Sequence, residues 1–146
     1  MGSLVGIARA SELGVPLEEI PLASVSVEAG IAGDARGRKP KRPVTVLFRE
    51  GWDEACQELG ASLPWIARRA NLLIAGLDRP RAAGGRLRIG EVALEITIET
   101  RPCHLMDRAR AGLRLALQPD WRAGVCCAVK QGGEIRLGDR VEFIFA

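Results

Sequence analysis

Arg101-Pro102-Cys103-His104 is the segment of this chain best equipped for chemistry. Proline ends ladder pairing, so Cys103 stands where the chain leaves a strand. Arg101, His104 and the start of a following helix would all favour the thiolate, the reactive form of cysteine. An ordinary buried cysteine would fit the same four residues, and both readings stay open on this ground alone. Cys56, Cys126 and Cys127 lie within apolar patterns and read as small core residues. A Cys–His hydrolase is a weaker option, because adjacent side chains rarely aim at each other and His104 is the only histidine.

Two further segments suit anions. Gly30 to Arg42 holds glycines that let a backbone approach a ligand closely, together with Arg36, Arg38, Lys39, Lys41 and Arg42. A solvated basic loop would have the same composition, and the Gly-Lys-Ser/Thr ending of a nucleotide-binding loop is missing. Arg69 and Asn71 flank Ala70 just before the apolar run Leu72-Leu73-Ile74-Ala75. In an extended segment, residues i and i+2 point the same way and would converge on one phosphate. A helix C-terminus capped by cations is the competing reading.

Several classes are excluded by what is missing. No two cysteines form a CxxC pair, so a closed zinc site lacks its ligands. Cys126 and Cys127 are neighbours and face opposite sides of a strand, which argues against a disulfide framework. Net charge is only +3, carried by 18 arginines and three lysines. Aromatic residues make up 4% of the chain, too few for base stacking, so nucleic acid is set aside as a partner. No apolar run approaches the ~18 residues that span a bilayer, and the N-terminus has no basic, apolar leader. The reading is therefore a cytoplasmic protein with no membrane partner.

The elements that must position these residues are mostly strands. Ser3 to Ala10, Ser24 to Val27, Pro43 to Phe48, Val92 to Glu99, Val125 to Lys130 and Val141 to Phe145 carry apolar alternation or β-branched runs. Trp52, Ala55, Cys56 and Leu59 mark one helix, stopped by Gly60. Asp107 is a candidate N-cap for a second, whose stripe is Ala109, Leu113, Ala116 and Leu117. Arg108, Arg110 and Arg114 lie off that stripe, and Pro119 ends it. Arg88-Ile89-Gly90-Glu91 and Arg136-Leu137-Gly138-Asp139 echo each other and predict two hairpins. Many short strands with few helices predict a mainly β fold, a closed or nearly closed barrel, in a single domain over residues 1–146.

Read in order, these segments resemble the MOSC family, the domain named for the C-terminus of molybdenum-cofactor sulfurase. The matching stations are Gly30-Ile31-Ala32-Gly33-Asp34, Arg42-Pro43-Val44-Thr45, the run from Arg69 to Asp78, Gly85 to Gly90, Pro102-Cys103, Gly124-Val125-Cys126 and Gly138-Asp139. The resemblance implies a barrel that binds the pyranopterin molybdenum cofactor. It implies Cys103 as molybdenum ligand or persulfide sulfur carrier, and Arg69 and Asn71 at the cofactor's phosphate end. Arg101, Asp34 and Arg36 complete the implied binding set, although Ala35 interrupts the Gly-Asp-Arg-like loop and no histidine stands in it.

Two activities occur in such a family: sulfur transfer for metal–sulfur cofactor assembly, and molybdenum-dependent reduction of N-hydroxylated compounds. The extra N-terminal β-domain of bigger members has no counterpart here. A pyridoxal-phosphate desulfurase domain and a ferredoxin-type cysteine cluster are missing as well. A cysteine desulfurase or other sulfur donor, or an electron-donor protein, is then the expected partner. The contrasting expectation is a non-catalytic basic barrel that binds a phosphorylated small molecule or nucleic acid.

Overall fold

The computed structural model describes residues 1–35 and 43–145. Seven strands close into a barrel in the order β11 (Arg140–Ile144), β7 (Arg86–Ile89), β8 (Val92–Glu99), β9 (Val125–Gln131), β5 (Val44–Phe48), β6 (Leu72–Ala75) and β1 (Gly2–Arg9). Pairing of β1 with β11 completes the ring, so no barrel strand is left with an open edge. A two-residue strand, β2 (Glu18–Glu19), extends β1. A separate three-stranded sheet runs β10 (Gly133–Arg136), β3 (Leu22–Ser26), β4 (Gly30–Ile31).

Period-2 alternation builds two cores from the same strands. Val44, Val46 and Phe48 of β5, Leu72 and Ile74 of β6, and Val125, Cys127 and Val129 of β9 fill the barrel interior. Leu47 and Leu73 point the other way, under α1 (Arg49–Leu59), α2 (His104–Ala109) and α3 (Leu113–Leu117). This is why β5 is buried on both faces. It is also why Cys127 sits inside the barrel while Cys126 does not. β5 and β6 run parallel, which requires a crossover, and α1 with the 3₁₀ turn Trp65–Arg68 supplies it.

Most expected strands form, and α1 covers its predicted stripe with Gly60 in the left-handed region at its end. Some expectations need correction. The second helix is two helices, because Gly112 takes φ 93 and turns the chain between α2 and α3. Met106 is the buried residue of α2, and Ala109 faces solvent; Asp107 caps nothing at its own helix start but accepts the Arg114 backbone N–H at 3.0 Å. The second hairpin does not pair: β10 joins β3 and β11 joins β7. Finally, a register shift between Ile96 and Ile98 turns Ile98 out of the interior.

Candidate functional site

Cys103 immediately precedes α2 in extended backbone (φ −116°, ψ 175°), and its carbonyl accepts the Met106 N–H at 3.0 Å. It is half-buried against the outer core, whereas Cys56, Cys126 and Cys127 are buried. Desolvation pushes the Cys56 and Cys127 thiols up, away from the thiolate. Cys126 meets the Thr100 hydroxyl at 3.4 Å just inside the point where β8 ends. Of the four thiols, Cys103 alone reaches the surface. Helix α2 has only six residues, so accessibility, more than its dipole, sets Cys103 apart.

Arg69 stands at the end of the 3₁₀ turn with φ 64°, a left-handed conformation that non-glycine residues seldom adopt. The extended Arg69–Asn71 pair expected from spacing is therefore not what forms. Arg69 Nη2 donates to the Val15 carbonyl at 2.8 Å and lines a cleft of ≈ 350 Å³ with Leu17, Pro64, Ile66, Leu105 and Arg108. Asn71 is 2% exposed and ties three barrel strands together. Its Oδ1 accepts the Thr45 N–H at 3.1 Å, and its Nδ2 donates to the Ala8 carbonyl at 3.1 Å. The side chain fixes the start of β6, and so the turn that carries Arg69.

Asp34 lies on the other flank of the loop after β1. Its Oδ1 accepts the Ala10 N–H at 3.0 Å, while Arg69 holds the same loop at Val15. Arg101 is exposed and shares a groove with Pro102, Arg114 and Gln118. Arg36, Arg38, Lys39, Lys41 and Arg42 lie outside the described residues. The structure thus joins Arg69 with α2 through Leu105 and Arg108, and Arg101 with α3 through Arg114. Arg108 was missed as a site residue, although its place off the apolar stripe marks it as solvent-facing.

A second set of arginines behaves differently. Arg79, with a side chain 4% exposed, holds Glu54 at 2.9 Å and Asp120 at 2.7 Å. Arg122 holds Glu58 at 2.8 Å, and Arg81 holds Asp120 at 2.8 Å. Hydrogen bonds from Arg79, Arg122 and Arg81 keep the Glu54, Glu58 and Asp120 carboxyls, respectively, below their ordinary range. A cleft of ≈ 640 Å³ between residues 77–85 and Phe143 with Phe145 borders this network and holds none of the expected site residues.

A bound molybdenum cofactor needs a soft ligand for the metal and donors for its phosphate. Among the described residues no cluster of three or more His, Cys, Asp or Glu exists, so the protein offers Cys103 as a single accessible sulfur. Arg69 and Arg108, set on apolar walls, suit a flat anionic ligand. By donor type, a thiol for the metal and arginines for the phosphate, the residues present fit the group.

A family model for the MOSC domain matches residues 33–142. No curated protein matches the chain significantly. The YuaD protein from Bacillus subtilis superposes with a TM-score of 0.86 at 17% identity, covering 100% of this chain and 97% of that one. YiiM from Escherichia coli gives 0.73 at 16% identity, covering 99% and 70%, and YiiM from Geobacillus stearothermophilus gives 0.78 at 14%, covering 99% and 75%. These likenesses establish the barrel architecture. No helix among the described residues is long and apolar enough to cross a membrane.

Proposed function

The chain belongs to the MOSC domain family, and on that premise we propose that residues 1–146 form one domain that binds the pyranopterin molybdenum cofactor. Cys103 is its metal ligand or persulfide sulfur carrier. The carrying observation is that Cys103 is the one thiol of four at the surface, at the foot of an arginine-bearing helix pair. Arg69 and Arg108 hold the phosphate end in the cleft between α2 and the loop after β1, and Arg101 adds positive charge beside Cys103. Asn71 and Asp34 position that cleft through the backbone bonds they make. When bound, the cofactor supplies a metal centre for oxygen-atom or sulfur-atom chemistry, in reduction of N-hydroxylated compounds or in cofactor sulfuration.

The carrier step needs only the chain's own thiolate and a donor. The Cys103 thiolate attacks the outer sulfur of a donor persulfide. The donor S–S bond breaks, the donor thiolate leaves with the electron pair, and the sulfane sulfur stays on Cys103. A cysteine desulfurase is the class of protein that offers such a persulfide; in the reductase role an electron-donor protein takes its place. The setting is cytoplasmic.

The test is metal and pterin analysis of protein expressed with molybdate in a cofactor-competent host. Wild type is expected to carry molybdenum and fluorescent pterin in near-equal amounts, and Cys103→Ser to lose the metal while keeping its β-type circular dichroism. Wild-type protein with neither metal nor pterin contradicts the proposal.

A further inference from the structure

The exposed face of α2, α3 and the segment before them carries two arginines that the proposed chemistry does not use, Arg110 and Arg114, beside two that it does, Arg101 and Arg108. All four are exposed, and among the described residues none has a carboxylate within ion-pair distance. One acid is interleaved with them: Asp107, whose Oδ1 already accepts the Arg114 backbone N–H. Glu99, half-buried, borders the groove that Arg101 and Arg114 share. Elsewhere Arg9, Arg79, Arg81, Arg86, Arg122 and Arg136 each face an acid, whereas Arg49, Arg88 and Arg140 stand singly on the surface with no described ion pair. Leu115, out of phase with the buried stripe of α3, is 69% exposed beside Arg114. The face borders Cys103, the first residue before α2.

We infer that this face docks an acidic protein surface, the partner that exchanges sulfur or electrons at the Cys103 site. The inference rests on the proposed reading of Cys103, because a group carried by a fixed thiol changes hands only across a contact. Arginine is enriched at protein interfaces, and an unpaired cationic rim draws an acidic partner and sets its orientation. Leu115 adds an exposed apolar side chain next to Arg114, at the edge of a cleft that it lines with Glu58 and Leu59. Residues 101–118 contain no Phe, Trp or Tyr on which bases would stack, which disfavours nucleic acid. A single exposed leucine offers too little apolar area to hold a lipid surface.

The probe is a short peptide rich in aspartate with one leucine, its single cysteine activated as a mixed disulfide with thionitrobenzoate. The Cys103 thiolate attacks the peptide sulfur, the disulfide breaks, and coloured thionitrobenzoate leaves with the electron pair. A peptide with serine in place of every aspartate is the reference, and every rate is divided by the iodoacetamide rate of the same protein. At low salt the acidic peptide is expected to react roughly 10-fold faster or more. The advantage should fall below about twofold at about 1 M salt, where the Debye length is near 3 Å. The double substitution Arg110→Glu with Arg114→Glu should abolish it at low salt, and Leu115→Ser should reduce it. Equal rates for the two peptides, with iodoacetamide still alkylating Cys103 first, overturn the docking face and leave the proposed function standing. Slow alkylation of Cys103 in the wild type overturns the reading beneath it, and the inference with it. An oligonucleotide or phosphatidylserine vesicle that blocks the reaction better than free acidic peptide overturns the protein partner.

Discussion

Two sets of arginines on this molecule contrast. Arg79, Arg81 and Arg122 close on Glu54, Glu58 and Asp120 and join α1 to the turns at residues 78–81 and 119–122. Arg101, Arg108, Arg110 and Arg114 stand on α2, α3 and the segment before them, with no described acid within ion-pair distance of their side chains. The same side chain therefore serves two ends. Where its fork meets carboxylates it holds elements together; where it meets only water it is available to something that arrives. Composition alone gives no hint of this split, because all 18 arginines look alike in a sequence.

The largest effect should come from breaking the closed set. Arg79→Ala removes a buried fork from two carboxylates and should cost about 2–4 kcal/mol, less than a fully buried pair because both acids reach water. Arg114→Ala should stay within about 0.5 kcal/mol, as exposed substitutions do. Urea denaturation midpoints measure both, and equal losses would erase the distinction between the two sets.

Arg69 and Asn71 sharpen the comparison at the cleft. Arg69→Ala should weaken cofactor binding by about 1.5–3 kcal/mol, or ~10- to 150-fold, the value of a charged hydrogen bond. Arg110→Ala, on the solvated face, should change it by about 1 kcal/mol or less. Asn71→Ala should act on folding, because it leaves the Thr45 N–H and the Ala8 carbonyl without their side-chain partner, a loss of about 1–3 kcal/mol. Fluorescence titration with the cofactor and denaturant unfolding separate the two kinds of loss.

A smaller effect follows from pH. Arg79 holds the Glu54 carboxyl below its ordinary 4.5, and Arg81 holds Asp120 below its ordinary 3.8. A carboxyl depressed in the folded state favours folding fully above its unfolded value. That contribution is lost as pH falls through the lower, folded value. Stability should therefore decline below about pH 4.5, and Arg79→Ala should decline less steeply over the same window. Thermal midpoints taken from pH 6 to about 3 report the two slopes, and parallel curves would speak against the network as the source.

Much of the barrel was legible because its strands are local patterns. Alternation in β8 and β9 and the β-branched run of β5 each mark a strand without reference to the rest of the chain. What escaped depends on distant partners. The glycine-acid turn after β10 looks like the one after β7, yet β11 crosses to β7 and β1 because barrel closure decides its neighbours. Gly112 reads as one residue in a helical stripe, and its positive φ splits that stripe in two. At the site, Cys103 was marked by Pro102 before it and by its polar neighbours. The roles of Arg69 and Asn71 were not separable, since their spacing is the same whether the backbone is extended or left-handed. Nor does any local pattern announce that Asn71 bonds to Ala8 and Thr45, residues far away in the chain.

The account turns on one thiol of four standing at the surface beside the open arginines, and timed iodoacetamide labelling of the native protein with mass mapping tests this most directly. Cys103 should be alkylated first, Cys56 and Cys126 later, and Cys127, enclosed in the barrel with its thiol held protonated by burial, last. Alkylation of Cys56, Cys126 or Cys127 ahead of Cys103 would contradict the account.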